Sequence, residues 1–171
     1  MDTFCYKDGE LMCESVFLRE VAEQVGTPCY VYSAEHITRQ FMNFDKAFVN
    51  LPHIICFAMK ANSNLAVLRL LGNLGSGIDV VSAGELYRAL QAGIPADRIV
   101  FAGVGKSVDE IIVAMKRGIL MFNVESSQEL DEINRVAEGY GRKAPVALRV
   151  NPEVDPKTHP YISTGMKKSK F

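Results

Sequence analysis

The sequence predicts an α/β chain: an incomplete (β/α)8 TIM barrel of about five βα units, preceded by a short N-terminal β segment. Three observations carry this expectation. Short apolar runs recur at a near-constant period, amphipathic helical patterns lie between them, and three helix starts share one Ser-to-Glu signature. The runs fall at 53–59, 77–81, 99–102, 120–124 and 146–150, with starts roughly 21 to 26 residues apart. Most are apolar on both faces, as parallel strands covered by helices require.

The helical patterns follow in order. Leu65, Leu68 and Leu71 share a face, as do Leu86, Ala89 and Leu90, the latter stretch closed by Gly93 and Pro95. Val108, Ile111, Ile112 and Met115 form the next stripe, and Leu130, Ile133, Val136 and Ala137 the last. The pairs Ser82/Glu85, Ser107/Glu110 and Ser126/Glu129 each match a capping box, in which Ser accepts an amide and Glu reaches back. Each box sits directly after a predicted strand, which places a short βα turn three times over. The near-constant period favours a barrel over a doubly wound sheet, whose strand order reverses across a long crossover. A closed barrel needs about 200 residues or more. The pattern therefore predicts that these 171 residues are the N-terminal part of a longer protein.

Upstream, 28–33 alternates like a strand, and Ile37, Phe41, Phe44 and Phe48 then line one helix face. The first 27 residues, with the turn-like Lys7-Asp8-Gly9, predict a small β element and a short helix. Two regions result: 1–33 as an N-terminal segment, and 34–171 as barrel.

Bulk composition narrows the function. Apolar residues make up 48%, charged residues 23%, and the net charge is −1, so no footprint for nucleic acid or an anionic membrane is present. Lys167, Lys168 and Lys170 read as a solvated loop. No apolar run approaches the roughly 18–20 residues that span a bilayer, and MDTFCYKDGE carries no secretory signal. Cys5, Cys13, Cys29 and Cys56 form no C-x-x-C pair and have no His at zinc spacing, so a reduced, cytoplasmic protein without a metal is expected.

Lys60 closes the first barrel run. Counting with period two, Lys60, Ala58, Cys56 and Ile54 share one face. In a barrel that face lines the lumen and Lys60 stands at the C-terminal mouth, where an amine can act as a Schiff-base nucleophile. The plainer reading is a strand-end lysine reaching for solvent. Asp79 and Arg149 interrupt apolar strands late in their course, so each needs a partner or a polar ligand; a structural ion pair is the alternative. Gly103-Val104-Gly105-Lys106-Ser107 fails the Walker pattern because Val100 stands where its first glycine belongs. Lys106 could still face the mouth from its loop, and His159 is the one histidine placed near it.

At this point the motifs resemble a known family. FAMKANSN (57–64) is similar to the Y-A-x-K-A-N motif of the fold-type III pyridoxal-phosphate decarboxylases, whose lysine holds the cofactor as a covalent aldimine. GIDVVSAGEL (77–86) and FAGVGKS (101–107) resemble two further family segments. ALRVNPEVDPKTHPYISTGMKKSKF (147–171) resembles the stretch that separates the branch acting on meso-diaminopimelate from those acting on ornithine or arginine.

The resemblance implies pyridoxal 5'-phosphate on Lys60, with Asp79 and Arg149 near its ring. It also implies decarboxylation of meso-2,6-diaminopimelate to L-lysine, the last step of lysine biosynthesis, in a homodimeric complete enzyme. The family's phosphate loop, pyridine-nitrogen partner and C-terminal β-domain fall beyond Phe171, so the expectation is an inactive chain in isolation, and residues 1–33 would pack with that domain. Two alternatives stay open: a decarboxylase for ornithine, arginine or carboxynorspermidine, and a non-catalytic half-barrel that self-associates.

Overall fold

A computed structural model describes residues 3–154 and 157–159. Most of the stretch THPYISTG (158–165), within the 147–171 resemblance, lies outside them, as do Lys167, Lys168 and Lys170.

The N-terminal segment is an antiparallel sheet of β1 (Phe4–Lys7), β2 (Glu10–Cys13) and β3 (Val16–Phe17), in that order, followed by α1 (Leu18–Val25). The turn at Asp8-Gly9 joins β1 to β2, whose pairing closes at Lys7 and Glu10. Residues 28–33 are not a strand. Pro28 has no N–H to donate, Tyr30 is 91% exposed, and no neighbouring strand offers a ladder. Ser33 instead caps α2 (Ala34–Ala47), accepting the His36 amide at 2.9 Å. Glu14 ties the two regions together: its Oε1 accepts from the Ser33 hydroxyl at 2.7 Å and the Glu35 amide at 2.8 Å. Those donors hold the Glu14 carboxyl below the usual range, the Glu35 amide first.

The second sheet has five parallel strands: β4 (Cys56–Ala58), β5 (Gly77–Val80), β6 (Ile99–Phe101), β7 (Met121–Val124) and β8 (Val146–Leu148). Their spatial order equals their sequence order, with no switch point. Four helices connect them: α3 (Leu65–Asn73), α4 (Ala83–Gln91), α5 (Val108–Arg117) and α6 (Ser127–Gly139). The described residues thus hold four complete βα units and a fifth strand. Sequential order and one-sided helices make this an arc of a (β/α)8 barrel rather than a doubly wound sheet.

One face of β4 to β7 meets the helices, whereas Val146 and Leu148 of β8 are exposed. Ile78, Val80, Phe101, Phe122 and Val124 pack against Leu68, Leu86, Ile111 and Ile133 in one cluster. The predicted stripes of α3 to α6 supply that face, with Leu65, Leu90, Ile112 and Leu130 partly buried at its margin. α2 contributes less: none of its residues is buried, and Phe44 is 55% exposed.

Only one of the three predicted capping boxes closes fully. Ser107 and Glu110 exchange both bonds. Ser82 and Ser126 accept their Glu amides at 3.2 Å, yet Glu85 Oε2 accepts from Val81 and Glu129 Oε2 from Glu125, one residue before the cap. Ser82 and Ser126 are fully extended, at φ −158° and −153°, against −78° at Ser107. In that extended geometry it is the preceding amide that faces the carboxylate.

The start of β5 needs a glycine. A Cβ on Gly77 would lie 2.4 Å from the Arg98 carbonyl oxygen and 2.7 Å from Cys56 Sγ. Gly77→Ala should therefore cost about 1–3 kcal/mol of unfolding free energy, because backbone must shift. A Cβ on Gly72 meets chiefly the tip of Ile94 at 2.4 Å. That tip can rotate, and alanine gains about 1 kcal/mol of helix propensity. Denaturant melts should find Gly72→Ala close to the parent and Gly77→Ala well below it.

Candidate active site

The strand face turned away from the helices carries small and polar residues. Ala58 pairs with Asp79, and Asn123 with Ala147, across the parallel ladder. Period two then puts Cys56, Ala58, Gly77, Asp79, Val100, Met121, Asn123 and Ala147 on that face, Val100 and Met121 being its larger apolar members, with Arg149 continuing β8. Arg149 extends the ladder through its backbone, its amide donating to the Val124 carbonyl at 3.0 Å.

At the C-terminal ends of these strands lies a cavity of about 340 Å3, lined by Asp79, Ala102, Asn123, Glu125, Ala147 and Arg149 among others. Barrel active sites occupy this rim. A larger cavity, about 420 Å3, lies between the N-terminal segment and α2 around Tyr32, Ser33 and His36. It includes no strand end of the barrel sheet and none of Lys60, Asp79, Lys106, Arg149 and His159, so the smaller one is the chemical candidate.

The strand carrying Lys60 ends earlier than the apolar run suggests. β4 stops at Ala58, and Met59–Ala61 forms one 3-10 turn, with Met59 fully buried as its anchor and Lys60 exposed. Lys60 thus leaves the strand at the rim, close enough to Asp79 to act on its charge.

Asp79 is half-buried, and its Oδ1 is buried without a hydrogen-bond partner. Burial pushes its carboxyl above the usual range; Lys60 opposes the shift, and Glu85 and Glu125 add to it. Cys56, below Asp79 on the same face, is raised by burial and then by the Asp79 charge. Because the folded state favours protonated Asp79, its contribution to stability falls as pH rises from the ordinary carboxylate pKa through the raised one. Asp79→Asn should therefore raise the melting temperature near neutral pH, and the gain should vanish in acid below the ordinary carboxylate range. Melting curves across pH would show it, and a site residue that costs stability is common where a ligand is awaited.

Arg149 does not pair with Asp79. Its Nη1 lies 3.5 Å from Glu125 Oε1, and the Glu125 side chain is only 4% exposed. Glu125 Oε1 also accepts the Gly103 amide at 3.1 Å, while Oε2 is buried with no partner. Sequence reasoning missed Glu125 and Asn123. The available signal was a polar residue, Asn123, inside LMFNV at the lumen phase, followed two positions later by a carboxylate that caps nothing.

Lys106 departs from the expectation that it faces the mouth. Its side chain is 0% exposed, and Nζ donates to the carbonyls of Gly103 (2.7 Å) and Asn123 (2.8 Å) and to Glu129 Oε1 (2.5 Å). All three ammonium protons are thereby used beneath the rim. His159 lies in the short described stretch 157–159, exposed and outside any regular element. The structure thus brings Asp79 and Arg149 to one cavity, sets Lys60 beside Asp79, and places Lys106 behind the wall.

These residues fit an aldehyde-bearing anionic cofactor. An amine at the rim can bond a carbonyl carbon, a buried carboxylate oxygen stands unpartnered beside it, and a guanidinium lines the same space.

The chain matches the family described as "Pyridoxal-dependent decarboxylase, pyridoxal binding domain" over residues 34–171. It is 54% identical, over its full length, to a diaminopimelate decarboxylase of Pseudomonas aeruginosa, of which it covers 41%. Against that of Aquifex aeolicus it is 57% identical over 97% of the chain and 39% of the relative. The crystal structure of diaminopimelate decarboxylase from M. jannaschii in complex with L-lysine superposes with a TM-score of 0.89 at 46% identity, covering 99% of this chain and 41% of that one. The chain therefore spans about two fifths of these relatives' length. A barrel arc with a lysine at its rim, matched to the family over most of its residues, belongs to the pyridoxal-dependent decarboxylases, as part of their pyridoxal-binding domain.

Proposed function

We propose that the protein carrying this sequence decarboxylates meso-2,6-diaminopimelate to L-lysine, with pyridoxal 5'-phosphate held by Lys60. The observation that supports it most is Lys60 at the rim beside Asp79, whose buried Oδ1 has no hydrogen-bond partner, in a pyridoxal-binding barrel. The substrate follows from the names of the relatives at 54% and 57% identity.

Each residue has work suited to its place. Lys60 Nζ would hold the cofactor through its carbonyl carbon, and its place at the rim would let the same amine move a proton to or from the substrate carbon. Asp79 supplies counter-charge while Nζ is protonated. Arg149, oriented by Glu125, brings positive charge to the same cavity. Bound there, pyridoxal phosphate supplies the electron sink for the pair left when the α-carboxylate departs as CO2. In this reading the working enzyme is a homodimer in the cytoplasm, a setting that suits four free cysteines. No helix among the described residues is long and apolar enough to cross a membrane.

Incubation with pyridoxal phosphate, borohydride reduction and peptide mass spectrometry test the assignment. The expected product is one phosphopyridoxyl adduct, on the peptide containing Lys60. Stable labelling at a different lysine, with Lys60 unmodified, would refute it.

A further inference from the structure

We infer that Lys106 is a positioning residue: buried behind the rim, it holds the Glu125–Arg149 pair in place at the cavity through Glu129 and the Gly103 turn. The inference rests on reading that cavity as the cofactor site.

The connections form a closed circuit. Lys106 Nζ donates to Glu129 Oε1, and Glu129 Oε2 accepts the Glu125 amide at 2.9 Å. Glu125 Oε1 accepts the Gly103 amide, and the Gly103 carbonyl accepts from Lys106 at 2.7 Å. A third bond, to the Asn123 carbonyl at 2.8 Å, pins the C-terminal end of β7 to the same ammonium. Two backbone segments that supply cavity residues are thus fixed by one cation that does not line the cavity.

Local requirements do not account for this arrangement. Ser107 and Glu110 cap α5 without help from Lys106. Gly103 sits at φ +98°, a backbone conformation glycine adopts without strain, so the turn does not need an ammonium to hold its shape. The Lys106 side chain is also wholly enclosed, with the Phe101 ring 5.8 Å from Nζ. A buried amine with three directed acceptors fixes geometry more tightly than an apolar side chain of equal volume, whatever its net effect on stability.

Charge points the same way. Glu125 and Glu129 are four residues apart and both nearly buried, at 4% and 10% side-chain exposure. Without Lys106 they would repel across the first turn of α6, and Glu125 would move away from Glu129 and from the orientation that faces Arg149.

Lys106→Met leaves Glu129 as an uncompensated buried carboxylate and can fail to fold, so the working variant is Lys106→Met/Glu129→Gln, which removes both charges. Two readouts are taken in the protein carrying this sequence. Amide hydrogen exchange at Gly103 and Glu125 needs no cofactor; protection there should fall about tenfold while core amides such as Phe122 keep theirs. Pyridoxal phosphate affinity should also fall about tenfold, and the loss should nearly disappear in an Arg149→Ala background, because residues of one network are not additive. A purely structural Lys106 would give additive losses and unchanged local exchange, and either result overturns the inference. If borohydride finds no cofactor on Lys60 in the unaltered protein, the functional reading fails and the exchange data alone decide the positioning claim.

Discussion

Lys60→Ala should abolish borohydride-fixed pyridoxal phosphate and lower the decarboxylation rate by about 10³-fold or more. The magnitude follows from what the proposed role would lose: a covalent attachment point and a positioned proton donor, each worth orders of magnitude in comparable chemistry. Lys60 is exposed and makes no packing contribution comparable to its neighbour Met59, which is fully buried. The fold should therefore survive, with a melting temperature within a few degrees of the parent when both are measured without cofactor. That separation makes the experiment decisive. An alanine variant that melts normally and releases CO2 from meso-diaminopimelate at the parental rate would remove Lys60 from the site. Activity recovered by added primary amines would, conversely, confirm that only the amine was lost.

Phe122→Ala should act on the opposite side of the same sheet, destabilising the chain by about 3–5 kcal/mol. Phe122 is 0% exposed, lies in β7, and stacks on Phe101 with ring centroids 6.2 Å apart and planes 22° from parallel. Neighbouring helices cannot collapse into the space without breaking strand register, so a cavity would remain. Denaturant unfolding followed by circular dichroism gives the number, and a loss under 1 kcal/mol would mean the sheet repacks easily. Met115→Leu, a volume-conserving change in the same core, offers the contrast and should cost less than about 1.5 kcal/mol.

The βα rhythm was readable because it depends on local chemistry. Apolar runs, helix stripes and cap serines each state their structure within a few residues, and the observed elements follow them in order. Strand lengths were less legible. The run 53–59 reads as seven extended residues, but ladder pairing begins at Cys56, because His53 turns its ring to Asp45 and the Leu51 carbonyl. Its end is set by Met59 diving into the core, which a period-two count does not anticipate. The alternation in 28–33 misled for a related reason: a strand is defined by its neighbour, and the described residues offer none.

In the site, Asp79 and Arg149 were visible as charges inside apolar strands. Their partners were not. Two oppositely charged strand residues invite each other as a pair, yet Arg149 takes Glu125, and Asp79 Oδ1 is left alone. Glu125 reads as an ordinary loop acid until the Gly103 turn folds over it. Lys106 shows the same limit from the other side. In sequence it belongs to a glycine-rich loop and looks exposed, while all its acceptors but the nearby Gly103 carbonyl come from residues 17 and 23 positions away.

The register of the parallel sheet has a consequence for how the chain comes together. Cys56 pairs with Gly77, Ile78 with Ile99, and Val100 with Met121, so three successive pairings join residues 21 positions apart; Phe122 pairs with Val146, 24 apart. Each new strand therefore closes a loop of almost the same length, at almost the same entropic cost. None of these four pairings has to wait for a distant part of the chain. Assembly can run from β4 toward β8 as a ribosome delivers the sequence, one hairpin-sized increment at a time, and the rim that carries Lys60 and Asp79 takes shape before the strand bearing Arg149 has been made.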